Sequence, residues 1–431
     1  MVRVPGLAGQ FLRIALVTSL AIAFPRAASA QIVTGSDGSD GAFTFVQDTG
    51  PGAAANTMTI DLSLAASGVD GQGQPITWQT PSPVAGRGVY DPFAWAVVFK
   101  YASVDVPAGK TVRFLNHGSR APVVWLSQAS IVVRGTIDVS AALVPNPSTS
   151  WPEPGPGGFR GSGPPIASAV PGFGPGGGGA ISSYEFGNYA GPASGGGYGR
   201  IYGGPGAFPL IGGSGGSNHA SSGVYGLPGG PGGGAILLAA RQSIECLSTA
   251  SVKAWPALGS AYPRGSGGAI RLVADVISLP NNVTIDAWES AGGSGRVRLE
   301  CNSFLGFAST YPPASFATPG PLLPDSSTPA VRVVSLTIGG QNFPVPVDPR
   351  ASFSFPQADL RVSSSGTAQL TLEARNIAPG HTCEVRVANP RTPGAAWTTS
   401  TPLAGTTALS TATVAVPLAI GLHAVQVRVV L

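Results

Sequence analysis

The feature that most constrains this chain is an internal repeat. Gly234-Ala235-Ile236-Leu237-Leu238 returns 34 residues later as Gly268-Ala269-Ile270-Arg271-Leu272. Ala250-Ser251-Val252-Lys253-Ala254-Trp255 returns 33 residues later as Val283-Thr284-Ile285-Asp286-Ala287-Trp288. An earlier copy runs from Val123-Val124-Trp125-Leu126 to Gly135-Thr136-Ile137-Asp138-Val139, and Arg296-Val297-Arg298-Leu299-Glu300 begins a last, partial one. Each copy holds short β-branched runs separated by turn residues, which predicts stacked copies pairing strand on strand. A sandwich explains such strands but not a fixed period. Stacking makes Ile236, Ile270 and Val297 one inward ladder and Leu238, Leu272 and Leu299 the next. Asp138, Lys253 and Asp286 then share one outward position, where alternating charge follows the cross-strand pairing rule.

Glycine and proline account for 62 and 41 of 431 residues, about a quarter of the chain, while charged residues are only 10%. That excludes coiled coils and helical bundles, which need Glu, Lys and Arg in quantity. It also argues against a nucleic-acid partner, which requires a dense basic face. Half of the glycine falls in residues 151–234. Such a run suits a flexible linker, but it also carries Phe159, Phe173, Tyr184, Tyr189, Tyr198, Tyr202 and Tyr225 and almost no charge. The preferred reading is a compact region of extended glycine segments bonded through their backbones, with aromatics as plugs. Tyr184, Tyr189, Tyr198, Tyr202 and Tyr225 are its candidate glycan-binding residues.

Residues 1–30 read as a signal peptide: Arg3 and Arg13, an apolar run from Ile14 to Phe24, then Ala28-Ser29-Ala30. Losing Arg3, Arg13 and Arg26 takes the formal charge from +4 to +1, which leaves no electrostatic case for an anionic macromolecule. No later segment reads as a transmembrane span, since Thr413–Leu431 is broken by Pro417, His423, Gln426 and Arg428. The chain is therefore expected to be secreted or at the cell surface. Residues 31–310 form the repeat domain, 311–329 a Pro-rich linker, and 330–431 a small immunoglobulin-like β-sandwich with alternating strands such as Leu370-Thr371-Leu372-Glu373-Ala374. The fold class expected is all-β: a short parallel β-helix, or solenoid, with the glycine-rich insertion, then the sandwich.

These residues resemble a family of exported glycine-rich proteins from environmental bacteria. The likeness rests on Gly35-Ser36-Asp37-Gly38-Ser39-Asp40-Gly41-Ala42, Val106-Pro107-Ala108-Gly109-Lys110-Thr111-Val112, Gly267–Ala274, Gly295–Glu300 and Thr401-Pro402-Leu403-Ala404-Gly405. It covers most of the chain after the leader and implies a fold and an exported location, with no assigned reaction. More distantly, the repeat looks like the right-handed parallel β-helices of polysaccharide lyases and bacterial adhesins.

Catalytic motifs are sparse. Gly-Gly-Ser214-Gly-Gly matches the hydrolase elbow only as any glycine tract does, and no strand leads into it. His117, His219, His381 and His423 lack metal-ligand spacing. Asp37 and Asp40 are the candidate metal ligands, for calcium; an Asx turn opening the first strand is the preferred alternative. No other cofactor is expected. A lyase reading would draw on Asp275, Asp286, Arg271 and Arg298, although Asp286 pairs with Lys253. Of three cysteines, Cys383 is expected in a core. The repeat places Cys246 and Cys301 on different strands two copies apart, beyond disulfide reach. The expected role is a non-enzymatic structural or adhesive protein, with a carbohydrate-active enzyme or a secreted glycan-binding module as alternatives. Glycan or an extracellular surface is the expected partner.

Overall fold

The computed structural model describes residues 32–66, 76–92, 94–142, 153–162, 172–174, 176–177, 185–186, 197–198, 204–217, 229–247, 249–257, 264–288, 293–306, 309–325, 327–343, 360–388 and 396–430. The expected signal peptide lies outside them. Residues Gln31–Leu431 make one compact unit. The protein is all-β: the described residues contain no α-helix, a single 3-10 turn at Leu62–Leu64, and five sheets.

Two sheets, parallel except for the antiparallel edge strand Val89–Asp91 of the larger, carry the repeat. In the larger, Ala96–Tyr101, Val123–Ser127, Ala235–Ala240, Ala269–Leu279 and Arg296–Gly306 pair successively in parallel. The expected ladders are in register, with Ile236 beside Ile270 beside Val297 and Leu238 beside Leu272 beside Leu299. Two earlier strands extend the second ladder through Trp125 and Phe99. Ala96–Tyr101, Val123–Ser127 and Ala235–Ala240 are buried along their whole length because both faces are covered, whereas Arg296–Gly306 alternates. Phe99, Trp125, Leu238 and Leu272 enter the main core, while Val98, Leu126, Leu237 and Val273 pack outward beneath Leu210 and Leu323.

The second sheet is parallel across six short strands: Thr57–Asp61, Thr111–Leu115, Thr136–Asp138, Ser251–Lys253, Thr284–Asp286 and Ser309–Tyr311. Met58, Val112, Ile137, Val252 and Ile285 point into the same core. The Pro-rich passage expected as a linker is largely built into this frame. Ser309–Tyr311 extends the six-stranded sheet, and Ser315–Ala317 pairs with the strand Arg296–Gly306.

The glycine-rich segments interlock through their backbones. Phe159 and Ser162 donate to the carbonyls of Gly213 and Gly216, three residues apart on both segments. Gly213 and Gly216 donate in turn to Gly233 and Gly230, which run the opposite way. Gly233 and Ser214 are tied to Ser266 by further backbone bonds. A three-residue period is that of the extended polyproline II helix, whereas a strand alternates every two residues. Only glycine permits the approach. A methyl on Gly161, Gly215, Gly232 or Gly268 would overlap a carbonyl oxygen of the neighbouring segment.

The last hundred residues form two antiparallel sheets on a shared core. One contains Ala330–Ile338, Gly366–Arg375 and Ser410–Leu418; the other contains Gly421–Val430, Thr382–Ala388 and Thr398–Pro402. Strict alternation of buried and exposed residues along Ser410–Leu418 marks a sheet with one wet face. Cys383 lies in this core, and Cys246, Cys301 and Cys383 are all free thiols. Burial pushes the Cys246 thiol up to about 12, so it is inert. Arg386 joins this part to the glycine segments: it donates to the Gly172 carbonyl at 2.8 Å and lies 4.7 Å over the Phe173 ring. Burial brings its guanidinium down to about 10.

Candidate functional site

The predicted metal pair is engaged within the protein. The Asp40 carboxylate is buried and accepts four hydrogen bonds, from the amides of Gly86, Gly88 and Lys100 and from the Ser82 hydroxyl, at 2.7–3.2 Å. Asp37 accepts from the Ser39 amide at 2.9 Å, which closes an Asx turn. Its other oxygen lies 3.8 Å from the buried Lys100 ammonium, which donates to the Thr80 carbonyl at 2.6 Å. Burial lowers the Lys100 ammonium despite the two carboxylates beside it. Among the described residues no group of three or more His, Cys, Asp or Glu could hold a metal ion.

Of the tyrosines expected to bind glycan, Tyr184, Tyr189, Tyr202 and Tyr225 lie outside the described residues. Tyr198 sits in a two-residue strand, Gly197–Tyr198, paired in parallel with Glu185–Phe186. Ser214 of the glycine tract is buried and accepts from the Gly176 amide at 3.0 Å, so it is part of the glycine packing. Of the lyase residues, Arg271 and Arg298 come together, stacked in register and both on Glu300, but the two aspartates do not join them. Arg271 is buried on Glu300, Asp275 accepts from Asn302 at 2.9 Å, and Asp286 stands on the other parallel sheet.

One serine–histidine contact was not foreseen. The Ser119 hydroxyl lies 2.7 Å from His117 Nδ1, which also accepts the Ser119 amide at 3.1 Å. The imidazole is buried against the Tyr90 ring, 4.1 Å between centroids. Burial pushes its pKa down to about 4. So weak a base does not take a serine proton at neutral pH, and the contact is structural. It has a stability consequence. A histidine at about 6.5 unfolded and about 4 folded stabilises the fold fully above 6.5, by roughly 3 kcal/mol, and loses this as pH falls through 4. Urea unfolding from pH 7 to pH 4 should show that loss in the wild type, and a shallower loss of stability in His117→Asn.

The arrangement best suited to a ligand is the outer face of the six-stranded sheet. A strand alternates its side chains, so Val112, Ile137, Val252 and Ile285 face the core and their neighbours face out. One row is hydroxylic, Thr57, Thr111, Thr136, Ser251, Thr284 and Ser309, each in register with the next, although Thr57 and Ser251 are buried. The adjoining row runs Arg113, Asp138, Lys253, Asp286, Tyr311. Arg113 Nε lies 3.4 Å from Asp138. The Lys253 ammonium, between two aspartates, sits 4.7 Å over the Trp255 ring. Burial raises the Asp286 carboxyl, outweighing the Trp288 amide that donates to it at 2.9 Å and the nearby Trp255 and Lys253.

Aromatic rings border this row. Trp288 stacks on Tyr311 with centroids 6.2 Å apart and planes inclined by 25°. They are 37% and 48% exposed, so an aromatic surface faces solvent beside the Asp–Lys–Asp rungs. Sequence reasoning placed Trp255 and Trp288 at equivalent repeat positions but left Tyr311 in a linker. Its signal was present in Ser309-Thr310-Tyr311, which repeats the Thr284-Ile285-Asp286 pattern one turn later. No helix among the described residues is long and apolar enough to cross a membrane. No protein-family model matches the chain, and no curated protein or solved structure does so either.

Proposed function

We propose that this is an exported, non-enzymatic structural or adhesive protein that holds glycan along the outer face of its six-stranded sheet. In this reading the parallel sheets are the walls of a short β-solenoid, and the last hundred residues an immunoglobulin-like sandwich beside it. The observation that carries the proposal is the exposed Trp288–Tyr311 stack next to Asp286, Lys253 and Asp138. Flat aromatic faces pack against the apolar faces of sugar rings, and neighbouring charged groups exchange hydrogen bonds with hydroxyls. The charges on the face alternate, which favours a neutral polysaccharide over a strongly anionic one.

A second reading, a glycoside-cleaving enzyme, has one observation in its favour. Asp138 and Asp286 stand two rungs apart, roughly 9–10 Å at normal strand spacing, near the upper end of an inverting carboxylate pair. Burial raises Asp286 as an acid would require. Lys253 occupies the rung between them, where a water would have to sit.

A polysaccharide screen on residues 31–431, with reducing ends assayed in the same wells, separates the two. Retention of a neutral polysaccharide without new reducing ends supports adhesion. Reducing ends that vanish in Asp286→Asn would replace it with the enzyme, and retention of nothing would overturn both.

A further inference from the structure

A cavity of about 690 Å³ opens where the strand Ala330–Ile338 faces the glycine segment around Phe159 and the turn at Ser119. It shares no residue with the outer face described above. Its walls are mostly apolar, and Trp95 and Phe159 form a tilted pair with centroids 6.4 Å apart. The Trp95 indole N–H is held by the Ser119 carbonyl at 3.1 Å, which fixes the ring plane.

Two features set this cavity apart from a packing defect. The first is backbone strain. Trp95 and Arg120 both line it, and both adopt left-handed conformations, at φ 46° and 54°. Only five non-glycine residues do so among those described, and two of them, Asn56 and Asn376, belong to the type that tolerates it. A tryptophan does not. Strain of this kind collects at ligand clamps, where the geometry of a side chain matters more than its cost.

The second feature is charge. Arg120 and Arg160 both pair with Glu153, at 3.2 and 2.9 Å. Arg332 and Arg375 both pair with Glu373, at 2.8 and 3.1 Å. Arg160 is buried, Arg120 and Glu153 are partly so, and Arg332 and Arg375 are half-exposed, so guanidiniums stand on two sides of the cavity. Guanidinium groups recognise carboxylates through paired hydrogen bonds. An apolar, aromatic chamber with cationic groups on two sides complements a hydrocarbon body that carries an acid.

We propose that this cavity binds a small amphipathic carboxylate, with its ring or short chain against Trp95 and Phe159 and its acid group on the arginine clusters. The inference stands independently of glycan binding on the outer face.

Phenylacetate is the probe, titrated into residues 31–431 by calorimetry and by tryptophan fluorescence. Phenylethanol and acetate supply the ring and the acid separately. Phenylacetate should bind saturably, at least about tenfold tighter than either, because the site rewards both parts. Arg332→Ala with Arg375→Ala, at half-exposed positions that leave the core intact, should weaken it about tenfold. Trp95→Gly suits the left-handed backbone, which offsets part of the packing the ring loses against the core, and it should lose the binding. Three results would overturn the proposal: no saturable binding of phenylacetate, equal binding of phenylethanol, or unchanged affinity in the Trp95 and arginine variants.

Discussion

Replacing Glu300 by alanine is expected to lower the unfolding free energy by roughly 3–5 kcal/mol. Glu300 lies between stacked arginines and is itself almost wholly buried. Its oxygens accept from Arg271 Nε and Nη2 at 3.0 and 2.9 Å, from Arg298 Nε at 3.2 Å and from the Gly320 amide at 2.9 Å. Arg271 also donates to the carbonyls of Pro321 and Leu322, so the cluster fastens the Pro-rich passage to the parallel sheet. Removing the carboxylate leaves a buried guanidinium without its counter-charge, which is the costly half of such an exchange. An apolar pair, Arg271→Met with Glu300→Leu, should cost much less than the single change. Burial alone would raise the Glu300 carboxyl; the hydrogen bonds and charge of Arg271 win and hold it below its usual value of 4.5. Its stabilising contribution is therefore present above 4.5 and lost as pH falls through the lower folded value. Urea unfolding from pH 7 downward should show the penalty of Glu300→Ala in full above 4.5 and shrinking steadily below it.

Gly268→Ala should do still more, costing upwards of about 4 kcal/mol or preventing folding. A methyl there would enter the Gly234 carbonyl oxygen, and both backbones are fixed by hydrogen bonds to their neighbours. Backbone cannot swing aside as the end of a side chain can. Gly161→Ala, against the Gly229 carbonyl, should behave alike. Gly206→Ala is the control: a methyl there meets nothing within 4 Å, and stability should change by no more than about 0.5 kcal/mol. Equal stability of Gly268→Ala and Gly206→Ala in thermal melts would refute the glycine packing.

The parallel ladders were legible because stacking forces equivalent residues into register. Ile236 and Ile270, 34 residues apart, and Lys253 and Asp286, 33 apart, could be aligned from the period, while Val297 and Asp138, at other spacings, were placed by matching the motifs around them. The sideways bonding of glycine segments was legible for a different reason, since aromatics without charge are poorly suited to a solvated linker. Its three-residue period was not, because glycine carries no side chain to mark a face. Glu300 was missed because its partners at Gly320, Pro321 and Leu322 lie in a passage whose prolines suggested a linker. Tyr311 was missed for the same reason. Backbone conformation has no signature in composition, so the strained Trp95 was invisible until the turn around it could be seen.

Glycan recognition by the outer face is the claim on which the functional account rests, and Trp288 and Tyr311 test it. The measurement is the calorimetric affinity of residues 31–431 for the polysaccharide retained in the screen, compared with Trp288→Ala/Tyr311→Ala. Both rings are exposed, so the double variant should melt as the wild type does. Hot-spot aromatics are worth ~2 kcal/mol or more when truncated, so the affinity should fall by at least about thirtyfold. A double variant that binds as tightly as the wild type would contradict the account.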